Sequence, residues 1–430
     1  MPRVGFYGDD FTGSVDALLQ YRVAGLSGVL VTSPGAELPP GDAQVVGIAG
    51  TARSLATSDM AAEVGPALSR LRELDVEVVQ YKACSTADSS PEVGSLGRVL
   101  ELAREVFPTS GPVPVAFAQP DFGRYTVFGH HFARDGETVH RLDRQPTMRS
   151  HPVTPATESD LRLHLAAQTE LPLGSLHWPE LADPAHVSEV LGEAAEAAVV
   201  CDAFDDTHLD AVAVAFLAGS ARPRFALGAG GLSKALGRAL DVDERFGALC
   251  TDAPASPGPT LVLSGSRSAL TQRQLTAAGE AGWKTVDPFG AGAVRRIRRY
   301  LALGREVAVD STASMPQAAL ASSAIEERLA EIADACLRQD PTTRLVLCGG
   351  DTSGNVLRRL GIRRLSIESQ PWGNVVLCVA VGSTPHLRRV EVVLKGGQMG
   401  HMNLFDDVRK GRRHESGAPA DPSLPATPAP

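Results

Sequence analysis

The stretch Arg344–Gly361 reads RLVLCGGDTSGNVLRRLG. Leu345 to Cys348 form an apolar run suited to a short buried strand, Gly349 and Gly350 interrupt it, and Asn355 to Leu360 resume with helical spacing. A strand, a glycine turn and a helix start make the repeating unit of an α/β fold. Residues without Cβ let backbone N–H groups approach an anion, and a helix start adds unpaired donors and a favourable dipole, so phosphate is one expected occupant. Asp351 either caps the helix or faces a phosphate-bound Mg²⁺, while Thr352 and Ser353 add hydroxyls. An ordinary strand-to-helix turn would show the same pattern. The stretch is neither a GxxxxGK[ST] loop nor a GxGxxG fingerprint.

Two more turns of this kind lie in the same half of the chain. Thr260 to Leu263 run into Ser264, Gly265, Ser266, Arg267 and Ser268, and Val390 to Leu394 run into KGGQMG at 395–400. If the three strands are neighbours in one sheet, their turns share an edge and enclose a triphosphate, with Ser264, Ser266, Gly397 and Gly400 around it and Lys395 as countercharge.

The amino-terminal half carries charge at the equivalent places. Val4 to Tyr7 form a strand that ends at Gly8, Asp9, Asp10, Phe11, Thr12 and Gly13. Either Asp can accept the proton of a substrate hydroxyl, or one of them caps the helix that follows. Val76 to Tyr81 end in Lys82, then Ser85, Thr86 and Asp88: a cation for a carboxylate and oxygens for hydroxyls, or a serine-rich helix cap. Gly123 and Arg124 follow the strand 113–118, and Arg124 is suited to grip a carboxylate. Thr126 to Val139, with a turn at Gly136, suggest a hairpin in which adjacent His130 and His131 point to opposite faces of a strand and read as structural, one of them open to contact with substrate. Asp202, Asp205 and Asp206 cluster after the strand 198–202, where Asp205 and Asp206 read as helix caps in preference to a metal site.

At 430 residues the chain exceeds one ordinary core. Alternating strands and helices predict an α/β fold of two α/β domains, each with a mainly parallel sheet and the active-site cleft between them. The Pro-, Ala- and Ser-rich stretch 251–259 divides one expected domain, 1–250, from a second, 260–411; the Pro- and Ala-rich tail 412–430 is expected to be disordered. A net charge of −9 argues against nucleic acid as partner. Six cysteines without CxxC spacing, no leader-like start and no long apolar window predict a cytoplasmic protein that does not enter a membrane.

Taken together, GDDFTGSVD at 8–16, YKACSTADSSP at 81–91, GRYTVFGHHF at 123–132, HPVTP at 151–155, LSGSRSALTQRQ at 263–274, GGDTSGNVLRRLG at 349–361 and KGGQMG at 395–400 resemble the four-carbon acid sugar kinase family, in its order and over nearly the whole chain. The resemblance implies an ATP- and Mg²⁺-dependent kinase acting on a threonate-, erythronate- or 3-oxo-tetronate-type acid, with a sugar-acid-binding domain over 1–250 and a nucleotide-binding domain over 260–411. It implies acid contacts at Asp9, Asp10, Lys82, Ser85, Thr86, Asp88 and Arg124, and nucleotide contacts at Ser264, Ser266, Gly349, Gly350, Asp351, Thr352, Gly397 and Gly400. Asp10, or failing it Asp9, is the expected base, and Asp351 the expected metal contact. The partners expected are a small sugar acid and ATP, and a homodimer is compatible with such an enzyme. Ala87 and Ser90 in the second motif, and Gly396, Gln398 and Met399 in the last, depart from the family pattern. A sensor of the same fold that binds without transferring phosphate is the alternative reading. A nicotinamide-linked dehydrogenase is disfavoured because no GxGxxG follows the first strand.

Overall fold

The structure, a computed structural model, describes residues 2–37, 43–313, 321–397 and 399–413, with the side chain of Asp351 outside that set. Most of the expected tail, 414–430, and Gln398 of the last motif also lie outside the described residues.

Fifteen strands join in one sheet. From one edge its order is Lys284–Val286, Val307–Asp310, Thr260–Ser264, Arg344–Cys348, Val390–Lys395, Val375–Gly382, Ile362–Trp372, Gly28–Val31, Val45–Ala49, Val4–Gly8, Val78–Lys82, Arg224–Gly228, Val113–Ala116, Ala198–Cys201 and Leu173–Leu176. The carboxyl-terminal half supplies the first seven strands and the amino-terminal half the other eight, so the two expected sheets exist but are fused edge to edge. Strands such as VGFYG, VVGIA, TLVLS and RLVLC are buried along their length, as near-continuous apolar runs are when helices cover both faces. Pairing is parallel except around Ile362–Trp372 and Val375–Gly382, which form a hairpin.

The fusion is short. Val31 pairs with Arg364 and Leu30 with Leu365, the Thr32 hydroxyl donates to the Ile362 carbonyl at 2.8 Å, and Arg358 donates to the carbonyls of Thr32 and Ala49. Behind this seam the helix Phe11–Val23 lies on the helix Gly350–Leu360, closely enough that a Cβ on Gly354 would stand 2.7 Å from the Phe11 Cβ.

Register fixes what the sheet can do. Gly8 is level with Ala49 and Lys82, and Lys82 with Gly228; in the other half Ser264 is level with Cys348, and Cys348 with Lys395. Within each half the turns singled out above therefore leave the carboxyl ends of neighbouring strands at one edge, where open α/β sheets bind ligands; the antiparallel pairings in between reverse strand direction from one half to the other, and the contact of the helices Phe11–Val23 and Gly350–Leu360 brings the two sets of turns together.

A separate antiparallel sheet of Arg124–Val127, His130–Asp135 and Thr138–Arg141 extends the expected hairpin by a third strand. His131 is buried in it as a structural residue, its Nδ1 paired with the Thr126 hydroxyl at 3.0 Å and its Nε2 with the Ser85 carbonyl at 2.8 Å. Asp205 caps the helix Asp206–Ala218, and Asp202 accepts from the backbone N–H groups of Phe128, Gly129 and Trp178. Within 251–259 there is no helix or strand, and the Pro254 and Ala255 carbonyls accept hydrogen bonds from Arg344. No described helix is long and apolar enough to cross a membrane.

Candidate active site between the two halves

A cavity of about 400 Å³ opens between the two halves, lined from the amino-terminal half by Asp10, Asp16, Arg53, Lys82, Ser85 and Arg124, and from the other by Asn374, Leu394 and Met399, among others. Both halves thus contribute to one space.

Asp10 closes the first turn of the helix Phe11–Val23: one carboxylate oxygen accepts from the Gly13 N–H at 2.6 Å. Its other oxygen accepts from Arg53 Nη1 at 2.8 Å. Arg53 also grips Asp9, through Nη2 at 2.7 Å and Nε at 3.2 Å, so one guanidinium forks across both carboxylates. Burial pushes the Asp9 carboxyl above its ordinary range, with the Asp10 charge adding to this and Arg53 and Lys82 opposing it. Burial works against the Arg53 charge, but Asp10 and Asp9 outweigh it and hold the guanidinium firmly protonated. Arg53 was missed in the sequence, where it is one arginine after a strand; it reaches the Asp pair because Val45–Ala49 lies beside Val4–Gly8.

Lys82 is buried at the cavity wall, donates to the Ala83 carbonyl at 3.0 Å and stands 3.4 Å from Asp16 Oδ2. The Arg124 Nη1 donates to the carbonyls of Phe122, Gly123 and Arg134, which fixes the side chain. Its Nε is buried without a partner, and burial lowers its pKa. A lining cation with an unsatisfied donor suits a ligand carboxylate. Ser85 lines the cavity as expected. Thr86 and Asp88 stand behind Ser85, where the Thr86 hydroxyl donates to Asp88 Oδ1 at 2.6 Å and braces the loop.

On the opposite side Gly349 adopts φ +114° at the end of its strand, a conformation that glycine tolerates, and opens the helix Gly350–Leu360. A Cβ on Gly350 would stand 3.3 Å from the Thr12 hydroxyl and 3.5 Å from Asp10 Oδ2, so the carboxyl-terminal glycine turn faces the amino-terminal acidic turn directly. A Cβ on Gly397 would come within 3.1 Å of the Ser266 hydroxyl, and one on Gly265 would press on Thr352. Glycines are needed there because the three turns crowd one spot. The Ser264 hydroxyl is buried and has no partner.

Lys395 departs from its expected role. It is fully buried, its Nζ donates to the Thr271 hydroxyl at 2.8 Å and to the Gly396 carbonyl at 3.1 Å, and burial lowers its pKa. Thr271 and Ser268 in turn donate to the Gly397 carbonyl. Lys395 therefore holds the last turn in shape from beneath and presents no charge to the cavity. Asp351, the expected metal contact, has its side chain outside the described residues. Among the described residues no three His, Cys, Asp or Glu side chains come together as a metal cluster.

A profile described as a sugar-binding N-terminal domain matches residues 4–236, and one described as a nucleotide-binding C-terminal domain matches 261–405. The chain belongs to the four-carbon acid sugar kinase family. Among curated members of this kinase family, the 3-oxo-isoapionate kinase of Paraburkholderia graminis is 34% identical, covering 95% of this chain and 94% of that one. The 3-oxo-tetronate kinase of Pseudomonas fluorescens is 31% identical over 94% and 96% of the two chains. A solved structure from Salmonella typhimurium has the same fold, with a TM-score of 0.75 at 24% identity, covering 94% of this chain and 98% of that one.

Proposed function

We propose that this family member transfers the γ-phosphoryl group of ATP to a hydroxyl of a four-carbon sugar acid of the tetronate or 3-oxo-tetronate type. One observation carries the reading: the Gly350 helix start and the Asp10 carboxylate face each other across the junction of the two halves. Phosphoryl transfer needs a donor held by fixed N–H groups and an acceptor oxygen placed in line with it, and the protein contributes mostly positioning and charge.

In this reading the backbone N–H groups of Gly349 to Thr352 hold the phosphates, helped by the hydroxyls of Ser264 and Ser266 and by the close turns at Gly397 and Gly400. The crowding at Gly265, Gly350 and Gly397 and the orphaned Ser264 hydroxyl suit a phosphate chain. Asp351, at this helix start, would be the carboxylate that meets a nucleotide-borne Mg²⁺, which would neutralise phosphate charge. Lys82 and Arg124 bind the acid's carboxylate, and Ser85 meets a hydroxyl. Asp10 accepts the proton of the attacking hydroxyl, and Arg53 fixes its orientation while Asp9 balances the Arg53 charge.

The relatives carry names ending in 3-oxo-tetronate and 3-oxo-isoapionate kinase, which supports a short 3-oxo acid as acceptor. Incubation with MgATP and a panel of tetronates and 3-oxo-tetronates should release ADP and yield a phosphorylated acid, read by coupled assay and mass spectrometry. Binding of both ligands without ADP release would overturn transfer in favour of a sensor.

A further inference from the structure

Asp16 is the one carboxylate lining the cavity that the reading above leaves without a task. It sits six residues beyond Asp10 on the helix Phe11–Val23, roughly 9 Å further along the axis. The neighbouring carboxylates are tightly engaged, Asp10 at 2.6 and 2.8 Å and the nearer oxygen of Asp9 at 2.7 Å. Asp16 is surrounded by donors, none of which closes to such a distance. Gln20 Nε2 lies 3.1 Å from its Oδ1, Gln119 Nε2 lies 3.4 Å from both oxygens, and Lys82 Nζ lies 3.4 Å from Oδ2. Charge-assisted hydrogen bonds to a carboxylate normally run near 2.7–2.9 Å, so this group keeps accepting capacity in hand.

The second observation is Gly230, the first residue of the helix Gly230–Ala239. A Cβ there would stand 2.5 Å from Asp16 Oδ2 and 2.7 Å from Gln119 Nε2. The chain gives up a side chain at this point, and the acid–amide pair occupies the space. Gln119 is itself buried and lines the cavity with Asp16. Together they offer an acceptor and a donor side by side, the combination that a hydroxyl needs.

We propose that Asp16, paired with Gln119, is a specificity-determining residue: its carboxylate accepts a hydrogen bond from a hydroxyl of the bound acid other than the one that receives phosphate. The proposal rests on the sugar-acid kinase reading and adds to it a fixed distance between the reacting end, at Asp10, and the recognised end, at Asp16. A short polyhydroxy acid spanning both is selected over one lacking the second hydroxyl, because the latter leaves a desolvated carboxylate unpaired.

The experiment compares wild-type enzyme, Asp16→Asn and Asp16→Ala, each with threonate or erythronate and with the matching monodeoxy acids, by steady-state kinetics and by calorimetric titration of the acid. Melting temperatures serve as the folding control. Expected in both variants is a KM for the hydroxylated acid, and a calorimetric Kd, raised by about 10–100-fold. The KM for ATP should stay put, kcat should change far less than KM, and discrimination against one deoxy acid should vanish. Full discrimination retained by a folded Asp16→Ala enzyme overturns the proposal, as does a fall in kcat at constant KM. Should Asp16→Ala not fold, Asp16→Asn decides alone, since it keeps the shape and removes the charge. If wild-type enzyme binds and phosphorylates none of the acids, the kinase reading itself has failed, and this outcome is distinct from an active enzyme indifferent to residue 16.

Discussion

The two halves of the sheet end in turns of opposite character that meet where the helices Phe11–Val23 and Gly350–Leu360 touch. The amino-terminal turns are built from charge: Asp9, Asp10 and Arg53 lock into a buried ion triad, with Lys82 and Asp16 beside them. The carboxyl-terminal turns are built from glycines and hydroxyls, and their one lysine, Lys395, is turned inward. The difference follows from what each half is proposed to hold. A small acid must be oriented by discrete charges, whereas a triphosphate brings its own charge and is best met by backbone N–H groups arranged in advance.

Removing the charge of Asp10 tests the contrast most severely. Asp10→Asn should lower kcat by about 10²–10⁴-fold, the usual worth of a positioned base, while an ATP analogue still binds; turnover near wild type would remove Asp10 from the chemistry. Replacing Arg53 by Met strips the cation from two buried carboxylates, and breaking such a group costs about 3–5 kcal/mol of stability. Urea titration should show this loss as a lowered midpoint.

A third test separates the halves by pH. Burial holds the His131 imidazole down to about 4, from an ordinary value of 6.5. An unfolded chain therefore takes up a proton between pH 6.5 and 4 that the folded chain refuses. The neutral ring's contribution is intact above pH 6.5 and is lost as pH falls towards 4, on the order of 3 kcal/mol in all. Urea midpoints measured from pH 8 to 4 should fall less steeply in His131→Gln than in the wild type; equal slopes would mean that another group titrates. Because His131 holds the Ser85 carbonyl, acid binding should weaken before nucleotide binding does. The smallest effect is expected on the glycine side. Gly350→Ala puts in a good helix former and adds one methyl beside Thr12 and Asp10, so the Kd of an ATP analogue should rise by about tenfold with acid binding unaltered.

Much of this was legible in the sequence because strand, turn and helix follow one another locally. The Asp9–Asp10 corner, the Lys82 loop and the glycine turns all leave strand ends, as their patterns indicate. What the sequence hid depends on the order in which strands lie side by side. Arg53 acquires meaning only beside residues 9 and 10, and Asp16 only beside Gln119 and Gly230. Lys395 next to two glycines looks like a phosphate ligand in one dimension. Its burial, and Thr271 waiting 2.8 Å away, are visible only once the strand has a neighbour on each side. The hydrogen bond from Thr86 to Asp88 was likewise invisible in the sequence, where the two side chains read only as free polar groups.

The seam at Val31 and Arg364 sets a mechanical condition on all of this. Because main-chain hydrogen bonds sew one half to the other beside the helix Gly350–Leu360, the halves cannot swing wide like a jaw without unstitching the sheet. Traffic of ligands must then be governed by side chains at the entrance, with the backbone acting as a frame that keeps donor and acceptor at one spacing from one turnover to the next.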